Sequence, residues 1–292
     1  SQAHQNGTPP PSTVAALGEE SILEDGHGEE AASYALPEAM EWPLATVVVL
    51  TCNRPKYALL SLRQIATQDY RGPLEALVVA DGSTAELEQL LRLEYPGLAV
   101  LPAERPVSVV DEMGAPANAT AQGLTVRLLM LPRRATIGEK RMEAARAARG
   151  EVLLHWDDDD FHEPSRVSAQ VSPILAGDAD ITALQLTHVV LMPGFRAFAA
   201  RTHLGILFST LAYRTSFARE RGFANVSLGE DYEFADRVVR ACRRFKVVLG
   251  VQSFYTRHEG SVGNTYTNFP LQEVLDSKSL VPTSPPPWLT SA

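Results

Sequence analysis

Seven residues, Gly150-Glu151-Val152-Leu153-Leu154-His155-Trp156, run without a break into Asp157-Asp158-Asp159-Asp160, and few folds accommodate that junction. The apolar part has the length of a buried strand, and Phe161-His162-Glu163-Pro164 reads as the turn that leaves it. Four adjacent carboxylates repel one another, so the strand must end where a counter-charge can reach them. Two readings compete. One is a solvated acidic loop; the other is a seat for a hard divalent cation, which carboxylate oxygens suit. Ligands of parallel sheets collect at the carboxyl ends of the strands, and the aspartates fall at such an end.

The segments around this junction alternate in type. Leu44–Leu50 is a β-branched run of strand length, ended by Thr51-Cys52-Asn53-Arg54-Pro55 and followed by a helix from about Lys56 to Thr67. Leu74–Ala80 is a second strand, closed by Asp81-Gly82-Ser83-Thr84 ahead of another helix. That order is a βαβ unit with a parallel sheet. Between 95 and 125 no strand can be placed, because Pro96, Pro102, Pro106 and Pro116 interrupt each apolar run. Val126–Leu131 restores the pattern, and Thr136-Ile137-Gly138-Glu139 fits a capping box opening a helix that Gly150 would terminate. Lys140 and Arg141 lie in its first turn, against the helix dipole. Either an anion sits there or the helix is simply basic and solvated.

Further on, Pro164 opens a helix to about Leu175, Asp180–Leu186 is a strand, and 187–200 reads as a hairpin across Pro193-Gly194. Leu204–Tyr213 is apolar and partly strand-like. Leu228-Gly229-Glu230-Asp231 opens a helix to about Arg244, whose stripe of Phe234, Val238, Ala241 and Cys242 shares a face with Asp231. Lys246–Val251 and Ser253–Thr256 are short strands, and the Pro-rich 282–287 is tail.

Of the 35 acidic residues, eight precede Trp42, a stretch with no Lys or Arg; 27 acidic residues then face 26 basic ones. The body is nearly neutral despite the formal charge of -9, which argues against a broad nucleic-acid surface. No apolar run approaches the ~18 residues of a membrane helix. Cys52 and Cys242 read as packed thiols with no zinc spacing. The leader is expected to be disordered. Since the chain begins at Ser1, an upstream anchor is possible, which leaves the compartment open between cytoplasmic and Golgi-like lumenal.

Ile137-Gly138-Glu139-Lys140-Arg141, Ala148-Arg149-Gly150-Glu151 and His155–Asp160, then Pro164 and Arg166, resemble the Gly-x-Lys-Arg-Asn, Ala-x-Gly-Glu and Asp-Asp-Asp-Asp pattern of family 2 glycosyltransferases. Thr51–Pro55, Asp81-Gly82-Ser83 and Gly229-Glu230-Asp231 match further landmarks in order, so the resemblance spans roughly Ala45 to Asn264. It implies an α/β GT-A (Rossmann-like) fold, a mostly parallel mixed sheet flanked by helices with a smaller acceptor-side subregion. The divisions it suggests are a leader at 1–43, a nucleotide-sugar-binding half at 44–160, an acceptor-binding and catalytic half at 161–270, and a tail at 271–292. It also implies a metal-dependent, inverting transfer from a nucleotide-sugar, UDP-linked, to a hydroxyl of a glycan, lipid or protein.

By the same resemblance Thr51, Asn53 and Arg54 lie against the nucleotide, Asp81 takes a hydrogen bond from the base, and Lys140 and Arg141 face the ribose or diphosphate. Asp157 and Asp158 belong to the donor site. Asp159, Asp160 and His258 are the expected contacts of manganese or magnesium, with the register of the four aspartates ambiguous. Asp231 would be the general base, with Glu230 beside it. The family's Asn after Lys-Arg is Met142 here, and its following Gly is Ala144. A catalytically degenerate domain that binds nucleotide-sugar or a partner, and a sugar-phosphate nucleotidyltransferase, are the rivals. The latter calls for a Gly-rich loop after the first strand, where Asn53-Arg54-Pro55 stands. Aromatic residues at 187–228 (Phe195, Phe198, Phe208, Tyr213, with His203) line an acceptor groove or pack a core.

Overall fold

A computed structural model describes residues 41–82, 84–102, 123–192, 194, 196–200, 206–241, 244–257 and 280–286. In chain order the elements are β1 (Ala45–Cys52), α1 (Pro55–Ala66), β2 (Leu74–Asp81), α2 (Ala85–Glu94), β3 (Ala99–Pro102), β4 (Leu124–Met130), α3 (Ile137–Ala147) and β5 (Val152–Asp157). There follow β6 (Phe161–His162), α4 (Arg166–Leu175), β7 (Ile181–Gln185), β8 (His188–Leu191), β9 (Arg196–Ala200), β10 (Ile206–Arg214), α5 (Thr215–Arg221), α6 (Glu230–Arg240), β11 (Phe245–Val248), β12 (Ser253–Arg257) and β13 (Leu280–Thr283).

Eight strands form one sheet in the order β11-β7-β10-β5-β1-β2-β4-β3. β1 pairs in parallel with β2 and β5, β4 in parallel with β2 and β3, and only β10 runs antiparallel to its neighbours β5 and β7. Both faces are covered, so the central strands read as continuous apolar runs. Val47 and Val49 pack towards Ala58, Leu62 and Ile65 of α1, Leu87 and Leu91 of α2 and Val167 and Val171 of α4. Val48 and Leu50 pack on the other face with Ala144 and Ala145 of α3, Ala218 of α5 and Phe234 and Val238 of α6. Each such fully buried Val or Leu contributes about 1.5–3 kcal/mol. This alternation is why Val47-Val48-Val49 shows no amphipathic pattern.

A second sheet has the order β13-β9-β8-β12-β6. β6 begins one residue after Asp160, so the four aspartates form the connection by which the chain passes from the large sheet to the small one. β8 and β9 make the antiparallel hairpin expected across residues 193–194.

Several expectations changed. The proline-interrupted 95–125 stretch contains β3, whose only strand partner among the described residues is β4; an edge strand tolerates the Pro102 that ends it. Gly150 does not cap α3, which ends at Ala147 with Ala148 as its cap. Gly150 is needed for close approach instead. Its N–H donates to Thr46 Oγ1 at 2.8 Å, and a Cβ there would lie 2.5 Å from the Thr46 nitrogen. α5 had no counterpart in the sequence reading, and α6 stops at Arg240 rather than near Arg244. Within the region expected as tail, β13 pairs with β9. The acidic leader through residue 40, Cys242 and His258 lie outside the described residues, as do Ser83, Phe195 and His203.

Candidate active site

Register brings the predicted residues to one edge. Cys52 lies opposite Asp81, and Leu50 lies opposite Asp157, so β1, β2 and β5 deliver their carboxyl ends side by side. Just beyond β1, Asn53 adopts φ 54, a left-handed conformation for which Asn is the usual non-glycine choice. Gly82 faces it with φ 85, and a Cβ on Gly82 would come within 2.7 Å of Asn53 Oδ1. The two strand ends therefore close on each other only because one of them is glycine.

Asp81 is buried. It accepts hydrogen bonds from Lys140 Nζ at 3.0 Å and from the Ala135 N–H at 3.0 Å. Burial alone would push this carboxyl up, but the Ala135 N–H and Lys140 outweigh it, and the group stays charged to below the usual carboxylate range. The exposed Arg134 approaches at 3.8 Å and also contacts the Cys52 sulfur. Burial, the bond to Asp81 and its charge push the Cys52 thiol up, away from thiolate. Sequence reasoning passed over Arg134, which sits in the loop before the capping box.

The four aspartates divide by burial. Asp157 and Asp159 are partly buried, whereas Asp158 and Asp160 are buried. Arg54, at the start of α1, supplies the main counter-charge by pairing with Asp158 and with Asp159, the latter at 2.8 Å. The Asp158 carbonyl accepts from Ser61 Oγ at 2.8 Å. Asp160 Oδ1 accepts from the Thr256 N–H of β12 at 2.9 Å. Arg166, wholly buried, lies with its guanidinium carbon 4.4 Å from the Trp156 ring centroid; burial lowers its pKa to about 9, opposed by Asp160 and Asp157. Burial pushes Asp157 up to about 6 and Asp158 up to about 7, and places Asp160 well above the ordinary carboxylate range. In each case a neighbouring arginine works against the shift: Arg141 at Asp157, Arg54 at Asp158 and Arg166 at Asp160.

Glu230 and Asp231 open α6 after Gly229, which has φ 75. Buried Glu230 accepts from Arg141 Nε at 3.0 Å, and Asp231 Oδ2 lies 3.9 Å from Arg141 Nη2. Burial pushes the Glu230 carboxyl up and Asp231 adds to it, against Arg141. Lys140 and Arg141 thus meet neither a free anion site nor solvent. Adjacent on α3, they project about 100° apart, one to Asp81 and the other to Glu230 and Asp231. The backbone donors at the start of α3 are also taken. Glu139 N–H donates to Thr136 Oγ1 at 3.1 Å, one half of the expected capping box, while the Glu139 carboxylate pairs with Arg133; Gly138 N–H donates to the Val226 carbonyl at 2.9 Å, and Ile137 N–H to Ser227 Oγ at 3.2 Å.

Among the described residues no three His, Cys, Asp or Glu side chains converge as a closed metal cage. Asp157 and Asp159, the two less buried of the four, are of the residue type that holds a hard cation by one or two carboxylates completed by substrate phosphates, with Asp159 Oδ2 also paired to Arg54. Asp160, expected as a ligand, faces inward to Thr256. Met142 is half-buried with its sulfur 3.7 Å from where a Gly222 Cβ would be. Phe208 packs edge-on to Tyr232, and Tyr213 lies in the core against Phe234, so neither forms an open groove.

Residues 108–227 match glycosyl transferase family 2. That is the family the motifs resemble, and the matched segment carries Lys140, Arg141 and the aspartate run and stops just short of Glu230. The fold is GT-A. TarS of S. aureus, solved with UDP-GlcNAc, superposes with a TM-score of 0.54 at 21% identity, covering 76% of this chain and 60% of that one. The mannosyltransferase PcManGT of Pyrobaculum calidifontis, solved with GDP-Man and Mn2+, gives 0.56 at 18% identity over 84% and 65%. GalNAc-T7, solved with UDP, GalNAc and Mn2+, gives 0.52 at 13% over 76% and 45%. The chain therefore spans under two thirds of the length of these solved structures, and the likeness to them is one of fold. No curated protein matches the sequence. No helix among the described residues is long and apolar enough to cross a membrane.

Proposed function

We propose that this chain is a metal-assisted, inverting glycosyltransferase that moves a sugar from a UDP-sugar to an acceptor hydroxyl, with Asp231 as general base. The observation that carries the reading is the gathering of Asp157, Glu230 and Asp231 around Arg141, with Asp159 beside Asp157 and paired to Arg54, at the same sheet edge as Asp81. A hydrolase needs two carboxylates and water, but not the Asn53–Gly82 and Asp81 end of this edge. No Gly-rich phosphate loop follows β1, which disfavours nucleotidyl transfer.

In this reading Asp81 accepts from the base, and Thr51, Asn53 and Arg54 flank the nucleoside. Asp157 and Asp159 would hold a divalent cation, with Asp160 bracing the turn through Thr256; His258, outside the described residues, remains a proposed further contact. A cation held by these residues would supply Lewis-acid neutralisation of charge on the leaving diphosphate, an effect worth several kcal/mol. The acceptor oxygen attacks the anomeric carbon from the face opposite the diphosphate, the carbon–oxygen bond to the diphosphate breaks, and the acceptor proton passes to Asp231. Asp231 is suited to this because its Oδ1 accepts from the Tyr232 N–H at 2.7 Å, which fixes the rotamer and turns Oδ2 to the site.

Calorimetry with UDP, with manganese or with chelator, tests the donor half. Metal-dependent binding that is weakened by Asp159→Asn and kept by Asp160→Asn is expected; binding indifferent to metal would remove the cation from the proposal. For the base, Asp231→Asn should lower turnover of a UDP-sugar by ~100- to 10,000-fold with UDP affinity retained. Unchanged turnover would refute the role of Asp231.

A further inference from the structure

We infer that Arg141 is the positioning residue for Asp231, and that the first turn of α3 holds the start of α6 in place for proton abstraction rather than gripping the donor diphosphate. The inference rests on the transferase reading above.

Three observations converge on it. The Arg141 side chain is only 3% exposed and its Nε is committed to Glu230 at 3.0 Å, so the guanidinium is covered and held from the α6 side, with Nη1 buried and without a hydrogen-bond partner among the described residues. Its Nη2 stands 3.9 Å from Asp231 Oδ2, inside ion-pair range but beyond a hydrogen bond. Nη2 thus faces Oδ2 without bonding to it, which leaves that oxygen open to the acceptor's proton. Glu230 has its own part in this: by taking Nε it fixes the plane of the guanidinium and hence the direction of Nη2.

The third observation concerns the strap between Gly222 and Gly229, both left-handed with φ 68 and φ 75. Its residues 225–228 are exposed, with Val226 and Leu228 showing apolar side chains to solvent, and it leads directly into Glu230. The strap is tied to the start of α3 by the Gly138–Val226 and Ile137–Ser227 bonds, and by Thr136 Oγ1 donating to Asn225 Oδ1 at 2.5 Å. Two glycine pivots would leave Asp231 free to swing; the α3 ties and Arg141 remove that freedom from opposite ends. A catalytic group displaced by an ångström can lose ~100-fold in rate.

The test uses the full chain, UDP with manganese as the binding probe, and UDP release from UDP-glucose, UDP-galactose and UDP-GlcNAc as the turnover probe. Arg141→Gln should lower kcat ~100-fold while leaving the UDP Kd and the donor KM within about twofold. Arg141→Lys, which keeps the charge without the fork, should recover part of the loss. Glu230→Gln should lower kcat in the same way, and the double variant Arg141→Gln/Glu230→Gln should be no slower than the slower single one, because both changes break one unit. If Arg141→Gln does not fold, Glu230→Gln and Arg141→Lys carry the test. A tenfold or greater weakening of UDP with kcat unchanged would make Arg141 a donor contact and overturn the inference, leaving the transferase reading intact. Strictly additive losses in the double variant would also overturn it. Failure of the wild-type chain to turn over any donor would instead remove the transferase reading itself, before any variant is made.

Discussion

Gly138→Ala isolates the seam between α3 and the strap. An ideal Cβ at Gly138 would lie 1.8 Å from the Ala224 carbonyl oxygen and 3.2 Å from the Val226 oxygen. Real Cβ contacts essentially never fall below 3.0 Å, so the strap must retreat by about 1.2 Å. The obstacle is backbone, so no rotamer change relieves it. A shift of that size breaks the 2.9 Å bond from Gly138 N–H to Val226 and strains the 3.2 Å bond from Ile137 N–H to Ser227. At about 0.5–1.5 kcal/mol for each bond, with overpacking of about 1–3 kcal/mol as the upper alternative route, the loss is about 1–3 kcal/mol. The ~1 kcal/mol by which Ala outperforms Gly inside a helix offsets part of it. Urea unfolding should show the midpoint falling by up to about 1 M at an m-value of about 2 kcal/mol/M. Turnover should fall more than stability alone explains, because Asp231 lies at the end of the displaced strap. A variant with an unchanged midpoint and unchanged turnover would mean that the strap does not rest on Gly138, and the account of the seam would fail.

Other outcomes follow from the same packing. Glu75, buried on β2, pairs with Arg127 of β4 at 2.6 Å and accepts from Thr46 Oγ1 at 2.6 Å and from the Arg149 N–H at 2.9 Å. Glu75→Ala should cost about 3–5 kcal/mol, because it strands a buried guanidinium; calorimetric melting that shows under 1 kcal/mol would contradict this. Asp81 has its folded-state pKa below the ordinary value, so it contributes stability that is present above about pH 3.9 and lost as pH falls through the folded value. Asp81→Asn should therefore flatten the acid limb of stability against pH below about 3.9, and an identical limb in both proteins would dismiss the Lys140–Asp81 pair as a stabilising contact. Gly150→Ala places a Cβ 2.5 Å from the Thr46 nitrogen and should lower the melting temperature by several degrees, about 2–4 °C per kcal/mol lost; no change would show that β1 and the α3–β5 turn are not in tight contact.

Much of this architecture was legible in advance because it rests on runs that only a buried strand tolerates. Val47-Val48-Val49 and Leu77-Val78-Val79 fall where the parallel strands lie, and Thr136 caps α3 by the bond its spacing to Glu139 suggested. The unread parts have specific causes. Four identical aspartates carry no contrast from which to tell the buried from the partly buried; that is set by Arg54 arriving from α1 and Thr256 from β12, about a hundred residues away on either side. Lys140 and Arg141 advertised a charge at a helix start, but their partners, Asp81 and Glu230, are tertiary. β3 and β13 are four-residue edge strands that each contain a proline, so propensity and pattern were both against them. Gly150 looked like a helix stop since glycine serves that role so often, whereas here the requirement comes from the backbone of Thr46 crossing beside it.

The reversal of β10 bears on how such a chain is made. β5 gains its first neighbour, β1, from residues already synthesised, but its second neighbour is β10, which begins only at Ile206. A growing chain that has just passed Asp160 therefore carries the carboxylate turn at the bare rim of an incomplete sheet, where unpaired strand edges invite intermolecular pairing. Like charges at that rim, a burden in the finished molecule, oppose its pairing with the same edge of a second chain until residues 206–214 take their place beside β5.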